Sequence, residues 1–344
     1  MVIIVYFFYD YALFSAKVIT LIILFITMVV IFLQYSTIRN NKNGEIQITV
    51  IKKDTEDIKN NILCSTMSKI EKKQWIKTEK KRLKEKQNQD KEKIKKNVQV
   101  LEPILYVLDF KGSSSAKEVS SLRKEISAII SVAKKQDEVL LRLESAGGIV
   151  NGYGLAASQL QRLKDNNIYL TVVVDKIAAS GGYMMACVAD HIVAAPFSII
   201  GSIGVISLFP NFYKLLKKHN IDIELHTAGK FKRNLTIFGE NTELGRQKMQ
   251  QELNNIHDLF KNFVHSMRPN LNIESVSNGE YWFGSIALEK GLIDSINTSD
   301  DVIFNKSKKF KVIKIKLYCQ KPFLNSFLKI ITSYIINLYK FFLK

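Results

Sequence analysis

Glu138-Val139-Leu140-Leu141-Arg142-Leu143-Glu144-Ser145-Ala146-Gly147-Gly148 sets the plan of this chain. Glu138 to Glu144 reads as a strand, and the run ends in a turn with two glycines. Helical spacing follows over Gly154 to Asp165, then an apolar strand over Ile168 to Val174. Ala178-Ala179-Ser180-Gly181-Gly182-Tyr183 comes next and opens a short helix through Cys187. Strand, glycine turn and helix repeated in this order indicate an α/β domain whose helices cover a largely parallel sheet.

Working outward, Ile104 to Phe110 is a further buried strand, and Ser113 to Ser115 offer N-caps for a helix carrying Val119, Leu122, Ile126, Ile129 and Ile130. Downstream, His191 to Ala195 reads as a strand stopped by Pro196, and Gly201 to Ile206 as another. A helix near Phe212 to His219, a strand over Asp222 to Thr227, a long helix near Thr242 to Met267 and a short one around Ser285 to Lys290 complete the domain. Its limits are drawn at residues 100 and 305.

The formal net charge of +18 raises the question of nucleic acid, and its distribution answers it. The large central segment is close to neutral, whereas the segment after Asn305 has ten lysines and no acidic residue. With no nucleic-acid-binding motif beside them, these bases suit anionic lipid headgroups better than a nucleic-acid groove. Cys64, Cys187 and Cys319 are scattered without metal-ligand spacing, so neither a disulfide framework nor a zinc site is implied.

Residues 1–36 are read as a transmembrane anchor with its flanks: Val18 to Leu33, extended back to Tyr11, has the roughly 20 residues needed to cross a bilayer. Arg39, Lys42, Lys52 and Lys53 follow the span, which favours a cytoplasmic domain under the positive-inside rule and leaves a periplasmic one open. Residues 37–99 form a lysine-rich stalk, either a solvated helix or disordered. In 306–344, Asn325, Lys329, Ser333, Asn337, Lys340 and Lys344 mark the polar face of an amphipathic helix lying on a membrane or against a neighbouring subunit.

Ser180 and the glycine turns point to chemistry, because a serine followed by glycines after a strand can sit beside amides that form an oxyanion hole. Those amides are assigned to Gly181 and to Gly147 or Gly148. A hydroxyl needs a base to take its proton. His191, His219, His226, His257 and His265 stand in no recognisable catalytic or metal-ligand arrangement. The alternative is lysine: Ala228-Gly229-Lys230-Phe231-Lys232-Arg233 can direct one lysine inward, where burial favours the neutral amine a base must be. A solvated basic loop fits the same spacing.

The segment from Ile104 to Asp301 resembles the SohB branch of the signal peptide peptidase A family, peptidase family S49, the membrane-anchored bacterial Ser-Lys proteases. The stretches that carry the resemblance are Leu141 to Gly148, Gly152 to Leu160, Ala178 to Ala186, Gly201 to Val205 and Gly291 to Asp294. The resemblance implies a ClpP/crotonase-like fold, with Ser180 as nucleophile, Lys232 as general base and Ser202 orienting the lysine amine. It also implies polypeptide substrates such as residual signal peptides, a ring-shaped homo-oligomer at the bacterial inner membrane, and no metal or organic cofactor. Where the family has Ser-Pro-Gly-Gly, this chain has Ala146, which puts the stiffness of the oxyanion loop in question. A silent membrane scaffold and a crotonase-type acyl-CoA enzyme are the competing readings.

Overall fold

The computed structural model describes residues 102–318 continuously and, before them, residues 9, 11–22, 24, 25, 28, 29, 45–51, 60 and 62–95. The chain divides into a unit of residues 1–47 and 317–344 and a unit of residues 48–316. In the first, residues 11–22 are helical and strand β1 (Glu45–Val50) begins. Among the described residues no helix is long and apolar enough to cross a membrane. Part of the anchor read over Tyr11 to Leu33 lies outside the described residues, as does the whole amphipathic helix of Phe323 to Leu343.

The stalk contains a helix, α1 (Lys69–Lys95). Ser68 and Glu71 start it with a reciprocal cap: the Ser68 N–H donates to the Glu71 carboxylate (2.8 Å) and the Glu71 N–H to Ser68 Oγ (3.4 Å). Exposed pairs such as Arg82–Glu79 (2.6 Å) lie along it.

The remaining elements are β2 (Ile104–Lys111), α2 (Val119–Val132), β3 (Glu138–Glu144), α3 (Val150–Asp165), β4 (Tyr169–Val174), β5 (Ile177–Ala179), α4 (Gly181–Ala186), β6 (His191–Ala194) and β7 (Ile199–Gly201). They continue with α5 (Tyr213–Lys218), α6 (Glu243–Met267), α7 (Ile273–Val276), β8 (Tyr281–Phe283), α8 (Gly284–Glu289), β9 (Ser295–Ile296), α9 (Ser299–Lys306) and β10 (Lys311–Tyr318). Parallel pairing runs in the order β10-β2-β3-β4-β6-β9. A second sheet has the order β5-β7-β8, with β7 and β8 antiparallel, so the molecule is α/β with mixed sheets.

Alternation divides the core in two. Leu108, Leu141 and Val172 face one side of the main sheet and pack with Leu122, Ile126, Leu160 and Tyr183 from the helices. Leu105, Val107, Leu140 and Val173 face the other side with Ile303 of α9. The register is pinned by one repeated device, a loop aspartate that caps the start of the neighbouring strand. Asp137 accepts from the Ile104 N–H (2.8 Å), Asp190 from Leu170 (2.8 Å) and Asp294 from Ile192 (2.7 Å). Each carboxylate satisfies a strand-end donor that the ladder leaves unpaired.

Several boundaries differ from the sequence reading. Ser113 to Ser115 do not cap α2; Ser113 donates through its N–H (3.1 Å) and its hydroxyl (2.8 Å) to Glu118, and the helix begins only at Val119. The strand read from Gly201 to Ile206 ends at Gly201, because Ser202 turns out of the sheet with a φ of 52°. Asp222 to Thr227 forms no strand, and among the described residues it pairs with none. Finally β10 lies beside β2, with Lys311 opposite Ile104, so the sheet continues past residue 305.

Asp294 shows what such a pin contributes. Burial works to raise its pKa, but two Arg268 hydrogen bonds (2.6 and 2.9 Å) and the Ile192 amide outweigh burial and hold it below the ordinary aspartate value. A depressed carboxylate stabilises the fold above its unfolded pKa, and that contribution fades as pH falls through the folded pKa. Asp294→Asn should lower unfolding free energy in urea by about 2–3 kcal/mol near pH 7. The gap from the unaltered protein should close below roughly pH 4; a gap independent of pH would contradict this account.

Candidate active site

Ser180 stands where β5 gives way to α4, and three backbone connections hold it there. Ser145, at the end of β3, donates its N–H to the Ile177 carbonyl (2.8 Å) and accepts from the Ala179 N–H (3.0 Å), laying the first glycine turn along β5. The Ser180 N–H donates to the Gly201 carbonyl at the end of β7 (2.8 Å). Ser180 is thereby held at φ 54° and ψ −120°, a conformation that costs a non-glycine residue roughly 1–3 kcal/mol. Strain of this kind turns a side chain out of the regular path of strand and helix.

The turn at Gly147 abuts this serine. A Cβ on Gly147 would lie 2.7 Å from the Gly181 nitrogen and 2.9 Å from the Ser180 Cβ, and its φ of 89° is itself one that glycine favours. The Gly147 N–H is already engaged, donating to Ser145 Oγ at 3.1 Å. That removes Gly147 from the donors assigned to an oxyanion hole. The Gly148 and Gly181 amides find no acceptor among the described residues, so these two remain.

What keeps the turn in place was not read from the sequence. Tyr153, fully buried, donates its hydroxyl proton to the Ser113 carbonyl (2.9 Å). The 2.6 Å contact between its oxygen and Ser145 Oγ is therefore a bond donated by Ser145. Ser145 in turn accepts from Gly147. Burial pushes the Tyr153 pKa up, so the phenol stays neutral and able to donate. Ile149 adds a backbone bond to the Ser114 carbonyl (2.9 Å). Ala146 thus sits in a loop held from both sides, without a proline. The only sequence signal was a serine before the glycines and a tyrosine in the first turn of α3, a pattern that reads equally as core packing.

Ser202 is brought to the site through its neighbour, since Gly201 binds the Ser180 amide, and its own N–H donates to the Glu280 carbonyl (2.7 Å). Lys232 is not brought in. Its side chain is exposed, its backbone N–H closes a turn on Gly229 (3.1 Å), and among the described residues no hydrogen bond joins it to Ser180 or Ser202. Lys230 lies over the Phe231 ring at 5.2 Å. No histidine hydrogen-bonds Ser180 among the described residues; His191 Nε2 is 2.9 Å from Ser295 Oγ. Cys187 is buried, and desolvation pushes its pKa up to about 12, so it is no rival nucleophile. Among the described residues no cluster of three His, Cys, Asp or Glu side chains is placed to hold a metal ion.

Two family models match the chain. Residues 6–160 match peptidase family S49 N-terminal, and residues 162–313 match peptidase family S49. The chain is 58% identical over 300 residues to a probable protease SohB of Buchnera aphidicola subsp. Schlechtendalia chinensis, covering 86% of this chain and 98% of that one. It is 48% identical over 321 residues to a probable protease SohB of Haemophilus influenzae, covering 92% and 91%. Among solved structures, a membrane-bound stomatin-specific protease aligns over 60% of this chain and 86% of its own at a TM-score of 0.41 and 16% identity. A ClpP1 mutant from Listeria monocytogenes aligns over 57% and 92% at 0.39 and 13%.

The Tyr153–Ser145–Gly147 relay can be tested directly. Tyr153→Phe keeps the ring and removes the hydroxyl, which should lower stability by about 1–2 kcal/mol. It should also slow covalent labelling of Ser180 by a fluorophosphonate at least several-fold. Unchanged labelling in a folded variant would show that the hydroxyl does not position the loop.

Proposed function

The chain belongs to peptidase family S49 and is a serine protease of that family, and on this premise we propose that it is a membrane-anchored endopeptidase using a Ser180–Lys232 dyad on a ClpP/crotonase-like fold. The observation that carries the reading is Ser180 itself, a strained serine at a strand-to-helix junction, with the Gly147 turn against it and a Gly181 amide that has no acceptor among the described residues.

In this reading the neutral amine of Lys232 takes the Ser180 proton as Oγ attacks a peptide carbonyl, and the carbonyl π pair moves onto oxygen. The Gly148 and Gly181 amides stabilise that oxyanion, where loss of one donor typically costs about 3–4 kcal/mol. The tetrahedral intermediate collapses and expels the amine, which takes its proton from the lysine ammonium, leaving an acyl-Ser180. Lys232 then deprotonates water, which displaces Ser180 and returns the proton to it. Ser202 orients the lysine amine.

Substrates on this proposal are residual signal peptides or other membrane-associated polypeptides, bound extended as an added strand. Backbone pairing of that kind gives broad preference. Attraction of the basic N- and C-terminal segments to lipid headgroups supports the bacterial inner membrane as the place of action.

A fluorophosphonate should label the intact protein at Ser180, and Ser180→Ala should remove both labelling and peptide hydrolysis. Lys232→Ala should lower hydrolysis by 10²-fold or more with circular dichroism unchanged, whereas Lys230→Ala should retain most activity. Equal hydrolysis in the unaltered protein and Lys232→Ala would remove Lys232 as the base.

A further inference from the structure

Three residues with left-handed backbone meet behind the nucleophile: Ser180 (φ 54°), Gly201 (φ 103°) and Ser202 (φ 52°). Two of them carry side chains, and such conformations persist only where the surroundings over-determine them. The Ser180 N–H donates to the Gly201 carbonyl (2.8 Å) and the Ser202 N–H to the Glu280 carbonyl (2.7 Å). Where the Gly201–Ser202 backbone lies therefore bears on both serines. Strand β7 is only three residues long and ends at Gly201, so its own ladder does little to fix that end.

Trp282 supplies a second constraint. Register places it opposite Ile200, one residue from Gly201. Its six-membered ring lies against Gly201: a Cβ there would fall 2.9 Å from Cε3 and 3.0 Å from Cζ3 of the indole, and 3.3 Å from the Glu280 carbonyl oxygen. The indole is itself held. It packs half-buried against the main core, and Lys290, just after α8, places its ammonium 4.9 Å from the ring centroid. An aromatic residue here would ordinarily be read as core filling. What distinguishes Trp282 is the atom it presses on, a glycine whose carbonyl holds the nucleophile.

We propose that Trp282 is a positioning residue for the reaction at Ser180. Its ring keeps the Gly201–Ser202 backbone left-handed, and so sets the Ser180 hydroxyl through the Gly201 carbonyl and the Ser202 hydroxyl through the chain. The inference rests on the Ser180–Lys232 reading above. Acting through the backbone behind the nucleophile, the ring governs how well Ser180 is aimed rather than how tightly a substrate is held. A misplacement of about 1 Å can cost about 10²-fold in rate. Loss of such aim lowers kcat and kcat/KM together and leaves KM in place.

The test uses the full chain in detergent, with fluorophosphonate labelling and peptide hydrolysis followed in the same samples. Trp282→Ala should keep its circular dichroism and label Ser180 to completion, but roughly 10-fold or more slowly. Its kcat should fall to the same extent, with KM within about 2-fold of the unaltered protein. Trp282→Phe, which keeps a flat ring near Gly201, should recover most of the rate, whereas Trp282→Leu should not. Lys290→Ala should slow labelling by roughly 2–5-fold. The chain has two tryptophans, Trp75 and Trp282, so in a Trp75→Phe background the Trp282 emission should change as Ser180 is phosphonylated. A residue that only supports folding would lower the fraction that labels and leave the rate of that fraction unchanged. That result, an unaltered rate, or a raised KM with kcat retained would overturn the proposal. Should Trp282→Ala fail to fold, Trp282→Leu against Trp282→Phe gives the same comparison. An unaltered protein that never labels at Ser180 would sink the Ser180–Lys232 reading and this inference with it; normal labelling in both the unaltered protein and Trp282→Ala would sink the inference alone.

Discussion

The contact on which the site depends is the approach of the Gly147 turn to the backbone of Ser180 and Gly181. At 2.7 Å from a would-be Cβ to the Gly181 nitrogen, no side chain fits between the two segments. This approach requires β3 and β5 to end side by side, which the Ser145 bonds to Ile177 and Ala179 ensure. It also requires β7 to close behind Ser180 through Gly201. The strain at Ser180 is sustained because it is bonded on both sides: its N–H donates to the Gly201 carbonyl and its own carbonyl accepts from the Met184 N–H.

Two sets of polar groups support this arrangement from a distance. Asp137, Asp190 and Asp294 fix where neighbouring strands of the main sheet begin, and in a parallel sheet where a strand begins determines where its carboxyl end emerges. Asp109, opposite Arg142 and bound to it at 2.6 Å, also meets Lys314 of β10 at 2.6 Å, tying three strands near those ends. On the other side of the site, Tyr153 gives the loop a fixed point deep in the core. That point limits the motion of the loop in which Ala146 sits.

The protomer is uneven in its degree of completion. Around Ser180 the packing is dense and the backbone is bonded to β3 and β7. Between residues 204 and 259 the chain leaves the sheets, and its apolar residues find little to cover them. Ser180 and the glycine turns beside it therefore belong to a rigid scaffold, whereas Lys232 belongs to an exposed segment with little core of its own.

Much of the fold was legible in the residues themselves. The strands at Ile104, Glu138 and Tyr169 and the long helix at Glu243 follow from side-chain periodicity, which reports a buried face directly, as does the helix read from Gly154, which in the structure begins one turn earlier at Val150. Ser180 and its glycines were legible for a related reason, since a turn that needs glycine restricts which residue can stand there. Strand pairing was less legible. Gly201 to Ile206 and Asp222 to Thr227 have strand patterns, but a strand exists only where a neighbour supplies hydrogen bonds, and periodicity says nothing of neighbours. Only the tertiary structure could decide that Gly147 spends its amide on Ser145, that Tyr153 anchors the loop, and that Lys232 faces solvent in the protomer. The Tyr153 anchor depends on Ser113, 40 residues away, and the setting of Lys232 on burial, neither of which local sequence encodes; the Gly147–Ser145 bond is local, but Tyr153 is what holds Ser145 in place for it.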